Sequence, residues 1–286
     1  MNRIEERFGA LKEKGHKGLV VYMGAGDPDL EATRELALAF DEVGADVLEL
    51  GIPFSDPLAD GPVNQMAAQR GLESGTTPSK VLETVKMIRL DSQIPIVFFV
   101  YYNLLHRYGL GAFIKDSAAA GVDGILILDL PPEESEDYSQ LMAESGLCPV
   151  FLVAPTTPES RIKSIVEHGK GFIYYVSREG VTGMQSKVSG NISSMIDRIH
   201  QHTDLPIAVG FGISIQIKQK QWLKWGMPLW LEVQSSIRLL NKENQTLWFQ
   251  PCPILLVHWL RQSRKYREYE HEAICALHHH HGWRQR

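Results

Sequence analysis

IPIVFFVYYNLLHRYGLGAFIKDSAAAGVDGILIL, residues 94–128, decides the fold. It opens on one apolar run, IPIVFFVY at 94–101, and closes on another, GILIL at 124–128. Both are short, continuous and bounded by Gly, Pro or Asp, as strands buried on both faces are. Between them AFIKDSAAAGV (112–122) carries apolar residues three and four apart and ends at a glycine suited to a left-handed cap. A strand, a helix and a second strand in this order make a parallel crossover unit.

The unit recurs in both directions. Upstream lie the runs LVVY (19–22) and DVLEL (46–50), with the helical stretches LEATRELALAFDEVGA (30–45) and PSKVLETVKMIRL (78–90). Downstream, PVFLVA (149–154), GFIYYV (171–176) and PIAVGF (206–211) continue the strands. The intervening PEESEDYSQLMAESG (132–146) and PESRIKSIVEHG (158–169) start on Pro with acidic residues in the first turn, a helix-start pattern. Seven such strands in series predict an α/β chain, and their number points to a (β/α)8 TIM barrel over residues 1–214. A doubly wound open sheet is the alternative. Neither GxGxxG nor GxxxxGK[ST] follows the first strand, which argues against its nucleotide-binding versions.

The chain has 286 residues, 44% hydrophobic and 22% charged, with a formal net charge of −5. That composition excludes a disordered chain. No run of eighteen apolar residues offers a membrane span. The N-terminal MNRIEERFGALKEKG is charged and lacks the apolar core of a secretory signal. Cys148, Cys252 and Cys275 fall in no metal-like spacing, so neither a metal site nor a disulfide scaffold is expected, and a reducing cytoplasm is.

The averages hide a break. All six tryptophans (222, 225, 230, 248, 259 and 283) follow residue 214. Residues 215–286 hold two of the 24 glycines, no aspartate and a net charge of +6, against −11 for residues 1–214. An acidic, Gly-rich body is joined to a basic, Trp-rich segment that does not continue its pattern.

In a barrel, chemistry sits at the C-terminal ends of the strands. The second strand runs into DVLELGIPFSDPLADGP (46–62), with Glu49 among Val47, Leu48 and Leu50. Partial desolvation near the mouth would raise the pKa of such a carboxylate and suit it to proton transfer near neutrality. A Glu held by a backbone amide or a lysine is the plainer alternative. The loop that follows is dense in Pro, Gly and Asp and is able to swing Asp60 over the pocket. Asp56 and Asp60 also fit simple turn or N-cap roles.

LELGIPFSDPLADGP resembles the signature of the tryptophan synthase alpha subunit family. The other landmarks fall in order: GDP (26–28), DLPPEES (129–135), SREGVTG (177–183) and GFGIS (210–214). The resemblance covers about residues 1–214. It implies a TIM barrel that cleaves indole-3-glycerol phosphate to indole and glyceraldehyde 3-phosphate in tryptophan biosynthesis. It further implies an α2β2 complex with a beta subunit that alone carries pyridoxal phosphate, so no cofactor is expected in this chain. Residue by residue, Glu49 corresponds to the general acid–base and Asp60 to the carboxylate facing the indole N–H. Tyr174 corresponds to a tyrosine near the substrate. Tyr22, where the family usually has Phe, would line the indole pocket with Tyr101 and Phe211. Gly183 and Gly212 correspond to backbone donors for the substrate phosphate, and Thr182 to a lid residue contacting Asp60. Pro53, Asp56, Pro57, Asn103 and Pro131 would meet the beta subunit.

Two other functions fit parts of this pattern. One is a non-catalytic barrel that docks on the beta subunit and modulates it. The other is a different phosphate-binding barrel, such as an isomerase, which would not share the strand-two loop as a block.

After GFGIS the family continues with a helix, an eighth strand and a Gly-Ser turn, whereas this chain reads IQIKQKQWLKWGMPLWLEVQS. Reading the last base of each codon with the first two of the next, this stretch is able to encode SNQAKAVAEMGDAVVVGSAI. That string is a family-like helix, strand and Gly-Ser turn. A reading-frame shift near Ser214 therefore accounts for the break, leaving the eighth unit and barrel closure in doubt. A genuine basic extension is the alternative, but no clean amphipathic period runs through it, so neither a nucleic acid nor a membrane is expected as a partner. His278–His281 fit a tag remnant or an out-of-frame run rather than a metal site. The coding DNA around codons 210–240 tests the shift: its codons are expected to spell the offset string, and codons incompatible with it would overturn the explanation.

Overall fold

The computed structural model describes residues 2–176 and 192–210, and the backbone of two short strands further on. Seven strands form one sheet in chain order: β1 (Val20–Gly24), β2 (Val47–Gly51), β3 (Ile96–Val100), β4 (Gly124–Ile127), β5 (Cys148–Val153), β6 (Ile173–Val176) and β7 (Ile207–Gly210). Each pairs in parallel with the next, and the sheet curls into a nearly closed barrel. Two further strands, β8 (Arg238–Leu240) and β9 (Thr246–Trp248), pair antiparallel in a separate sheet. The rest of the segment after residue 210 lies outside the described residues, and with it the question of an eighth unit.

Nine helices are described: α1 (Arg3–Glu13), α2 (Leu30–Glu42), α3 (Pro62–Glu73), α4 (Pro78–Arg89), α5 (Tyr102–Tyr108), α6 (Leu110–Ala120), α7 (Glu136–Glu144), α8 (Glu159–His168) and α9 (Ile192–His200). The apolar pattern of the sequence anticipates α2, α4, α6, α7 and α8 but not α1, α3, α5 or α9. α1 is mostly polar and is started by a capping box, with the Asn2 side chain accepting from Ile4 N and the Glu5 side chain reaching back to Asn2 N. α3 starts on the Gly61–Pro62 step that reads as a turn in the sequence. Gly109, at φ 95°, separates α5 from α6 where a side chain would be strained.

Two apolar layers result. Outward-facing strand residues such as Leu48, Leu50 and Phe98 pack against α2, α4 and α6 through Phe40, Val85 and Phe113. Inward residues, among them Val20, Val47, Val97, Cys148 and Phe172, fill the barrel together with Ile4, Phe8 and Leu11 of α1. Phe8 meets Phe172 edge to face at 5.6 Å, so α1 plugs the N-terminal mouth.

The plug is latched twice by the same device. Asp46 and Asp123 stand just before β2 and β4 in the tripeptides Gly-Ala-Asp and Gly-Val-Asp. Asp46 accepts from Leu19 N at 2.6 Å and Asp123 from Ile96 N at 2.8 Å, tying each strand start to its neighbour. Arg7 and Arg3, one helical turn apart, reach these two carboxylates at 3.4 and 2.9 Å. Arg89 adds a third contact to Asp123 at 2.8 Å. Since Asp123 is 2% exposed, removing its carboxylate takes the counter-charge from the largely buried Arg89 and the acceptor from the buried Ile96 N–H. Asp123→Ala is expected to lower unfolding stability by about 3–5 kcal/mol, the usual cost of breaking a buried pair from one side. A shift in the urea midpoint equal to that of an exposed substitution would contradict this.

Candidate active site

The parallel register stacks the inward side chains in layers. Tyr22, Glu49, Val97 and Gly124 stand side by side on β1 to β4. Two residues nearer the C-terminal mouth, the same face presents Gly24, Gly51, Phe99 and Leu126. Glu49 is fully buried on this inner face, between Leu48 and Leu50, which point outward. The layer above it has no side chain on two adjacent strands. A cavity opens there, lined by Tyr22, Gly24, Gly51, Phe99, Tyr101 and Asp60 among others. Its empty space, open solvent at the mouth included, is about 320 Å³.

Asp60 enters this cavity from the loop after β2 and is 7% exposed. The Tyr101 hydroxyl, just past β3, donates to Asp60 Oδ2 at 2.8 Å, and Asn64 Nδ2 of α3 donates to Oδ1 at 3.3 Å. Tyr101 also accepts from Ala59 N at 3.0 Å, and its ring lies 5.2 Å from that of Phe54, so it fastens both ends of the loop. Gln65 holds the Asp60 carbonyl at 2.8 Å. Burial raises the Asp60 carboxyl above its ordinary range, and the donors Tyr101 and Asn64 pull partly against that shift. Burial and the neighbouring Asp60 charge push the Tyr101 phenol up, keeping it a donor.

The candidate residues read from the sequence divide into three groups. Asp60, Tyr22 and Tyr101 line the cavity, and Glu49 lies in the layer beneath it as the register partner of Tyr22. Tyr22 meets Phe99 edge to face at 5.1 Å. Tyr174 also faces the barrel interior, 6.4 Å from Phe99, but is not among the residues lining the cavity; its hydroxyl lies over Gly210. Of the presumed contacts with a partner, Asp56 and Asn103 are exposed, and Pro57 and Pro131 are half-buried. Pro53 differs: it is buried and lines the cavity, close enough to α3 that a Cβ at Gly71 would lie 3.2 Å from it. Thr182, Gly183, Phe211 and Gly212 lie outside the described residues.

Gly24, Gly51, Phe99 and Asn64 shape the site without having been singled out in the sequence. The signal for Gly51 was its spacing, two residues beyond Glu49 on the same face. Among the described residues no group of His, Cys, Asp and Glu is placed to hold a metal ion. Burial pushes the Cys148 thiol up to about 12, which leaves it a packing residue rather than a nucleophile. No described helix is long and apolar enough to cross a membrane.

Comparison with known proteins converges on one family. The family described as Tryptophan synthase alpha chain matches residues 8–226. The tryptophan synthase alpha chain of Geotalea daltonii is 48% identical over 214 residues, spanning 75% of this chain and 81% of that protein. That of Thermoanaerobacter pseudethanolicus is 47% identical over 214 residues, with 75% and 81% covered. Among solved structures, tryptophan synthase subunit alpha from Legionella pneumophila superposes with a TM-score of 0.74 at 35% identity, covering 82% of this chain and 86% of that one. The Pyrococcus furiosus structure, described as a mutually activating α2β2 tryptophan synthase complex, gives 0.70 at 38% identity, with 76% and 87% covered. With the family matching residues 8–226 and a relative 48% identical over three-quarters of the chain's length, the chain belongs to the tryptophan synthase alpha-chain family.

Proposed function

We propose that Glu49 and Asp60 are the working carboxylates of this alpha-type lyase of tryptophan biosynthesis, and that its substrate is indole-3-glycerol phosphate. The observation that carries the assignment is their placement: one buried carboxylate lies in the layer beneath the cavity and the other in its wall. The reaction needs both. Glu49 protonates the indole carbon that bears the glycerol chain, turning a poor carbanion leaving group into a good one. It then takes the proton of the adjacent glycerol hydroxyl as the carbon–carbon bond breaks. The bonding pair returns to the ring, giving indole and the aldehyde, and Glu49 ends as it began. Positive charge on the ring nitrogen is greatest between these steps, and an ionised Asp60 facing the N–H stabilises it. No cofactor enters these steps, and in this family pyridoxal phosphate belongs to the beta subunit.

The remaining assignments follow from the same reading. Tyr22, Tyr101 and Tyr174 bound the ring end of the substrate. Thr182, Gly183, Phe211 and Gly212 complete the lid, the pocket and the phosphate cradle. A beta subunit docks on the exposed rim carrying Asp56, Pro57, Asn103 and Pro131, with Pro53 supporting that loop from within. The chain works in the cytoplasm, residues 1–214 form the functional body, and residues 215–286 are the product of a shifted frame.

Glu49→Gln tests the chemistry. In the full chain with its beta subunit, and in the chain with its frame restored after Ser214, indole release is expected to fall by about 10²- to 10⁴-fold. Thermal unfolding and stimulation of the beta subunit should be unchanged. Turnover within threefold of the unaltered protein would overturn the assignment; unaltered chains that stimulate the beta subunit without releasing indole would point to docking alone.

The Asp60 network predicts a pH effect. Tyr101 donates to the carboxylate and so lowers a pKa that burial has raised. Tyr101→Phe lets that pKa rise, so ionised Asp60 is lost at a higher pH as the solution is acidified. The acid limb of kcat/KM is expected to move to higher pH; an unmoved limb would contradict the role of Asp60.

A further inference from the structure

We propose that Gly24 leaves a slot that admits the edge of the substrate's aromatic ring, and that Tyr22, whose ring tip covers the adjacent Gly51, sets its depth and thereby selects which ring substituents are accepted. The proposal rests on the assignment of this cavity to an indole ring.

The two glycines are direct partners across β1 and β2, and both line the cavity. They are glycine for different reasons. A Cβ at Gly51 would run into the Tyr22 hydroxyl and lie 2.9 Å from Cζ, so the tip of the Tyr22 ring occupies the room that a side chain at 51 would take. A Cβ at Gly24 would meet only Ala67 Cβ, at an ordinary 3.5 Å. Its backbone does not have the positive φ that favours glycine. Neither packing nor backbone therefore demands glycine at 24, and a glycine within a strand gives up packing. What it leaves is open space in the wall of the cavity that holds Asp60.

Tyr22 is the boundary of that space. Its ring rises from the Glu49 layer, is braced edge to face by Phe99 at 5.1 Å, and ends against Gly51. A flat ring held at Asp60 above Glu49 thus has aromatic faces on one side and a side-chain-free notch on the other. Adding one carbon at 24 fills the notch, and removing one oxygen at 22 deepens the floor. A methyl group gained or lost in an apolar pocket changes discrimination by about 10- to 200-fold, so single-atom changes here are measurable.

Isothermal titration of the full chain with indole and with 4-, 5-, 6- and 7-methylindole tests the slot without involving the phosphate. Gly24→Ala is expected to weaken the best-bound methylindole at least tenfold relative to indole. Tyr22→Phe is expected to improve, at least fivefold relative to indole, a methylindole that the unaltered protein disfavours. Relative affinities that shift less than twofold in both variants, with indole still bound, would overturn the slot. If Gly24→Ala fails to fold, an unchanged selectivity in Tyr22→Phe suffices to overturn it. Failure of the unaltered chain to bind any indole would instead overturn the assignment of the cavity.

Discussion

A carboxylate on the inner face of a barrel strand is the constraint around which this molecule is arranged. Glu49 is fully buried on β2, and a charge in that position is tolerable only where the surroundings manage its desolvation. Below it, α1 closes the mouth with Ile4, Phe8 and Leu11, so water is kept from the N-terminal side. Above it, the parallel register puts glycine on both β1 and β2, beside the cavity where, in the proposed reaction, a substrate ring would meet the carboxylate. The bottom is packed and latched for stability while the top is hollowed for chemistry, the division expected of a (β/α)8 barrel.

The second carboxylate is held by different means. Asp60 sits on a loop rather than a strand, so its position depends on side chains from neighbouring elements: Tyr101 beyond β3 and Asn64 in the first turn of α3. Because Tyr101 also binds Ala59 N and packs on Phe54, the loop that bears the exposed Asp56 and Leu58 is mechanically continuous with Asp60. A protein that binds this rim acts on a segment whose other side is the active site. Such continuity is a physical route by which docking on the rim would alter the chemistry within.

Much of this was legible from sequence because buried parallel strands announce themselves as continuous apolar runs. LVVY, DVLEL, IPIVFFVY and GILIL all fall on observed strands. α1 was missed although its cap Asn2-x-x-Glu5 and the spacing of Ile4, Phe8 and Leu11 are local; what the sequence does not contain is its place under the barrel, fixed by ion pairs to Asp46 and Asp123. Glu49 and Asp60 could be picked out by residue type and loop composition, and the family resemblance assigned their roles. Gly24 could not, since a strand glycine has meaning only once its register partner Gly51 and the Tyr22 ring beside it are placed. Nor does the position of Pro53 in its loop reveal that the residue is buried and lines the cavity.

The most direct test of Glu49 as the proton carrier, with Asp60 stabilising the charged ring, is hydrogen exchange at the ring carbon of indole in deuterated water. Indole carries the carbon that Glu49 would protonate but needs no phosphate site. The unaltered chain should accelerate deuterium uptake at that carbon over the rate in buffer, and both Glu49→Gln and Asp60→Asn should abolish the acceleration while retaining the fold. Exchange accelerated equally by the unaltered chain and by Glu49→Gln would contradict the assignment of proton transfer to Glu49.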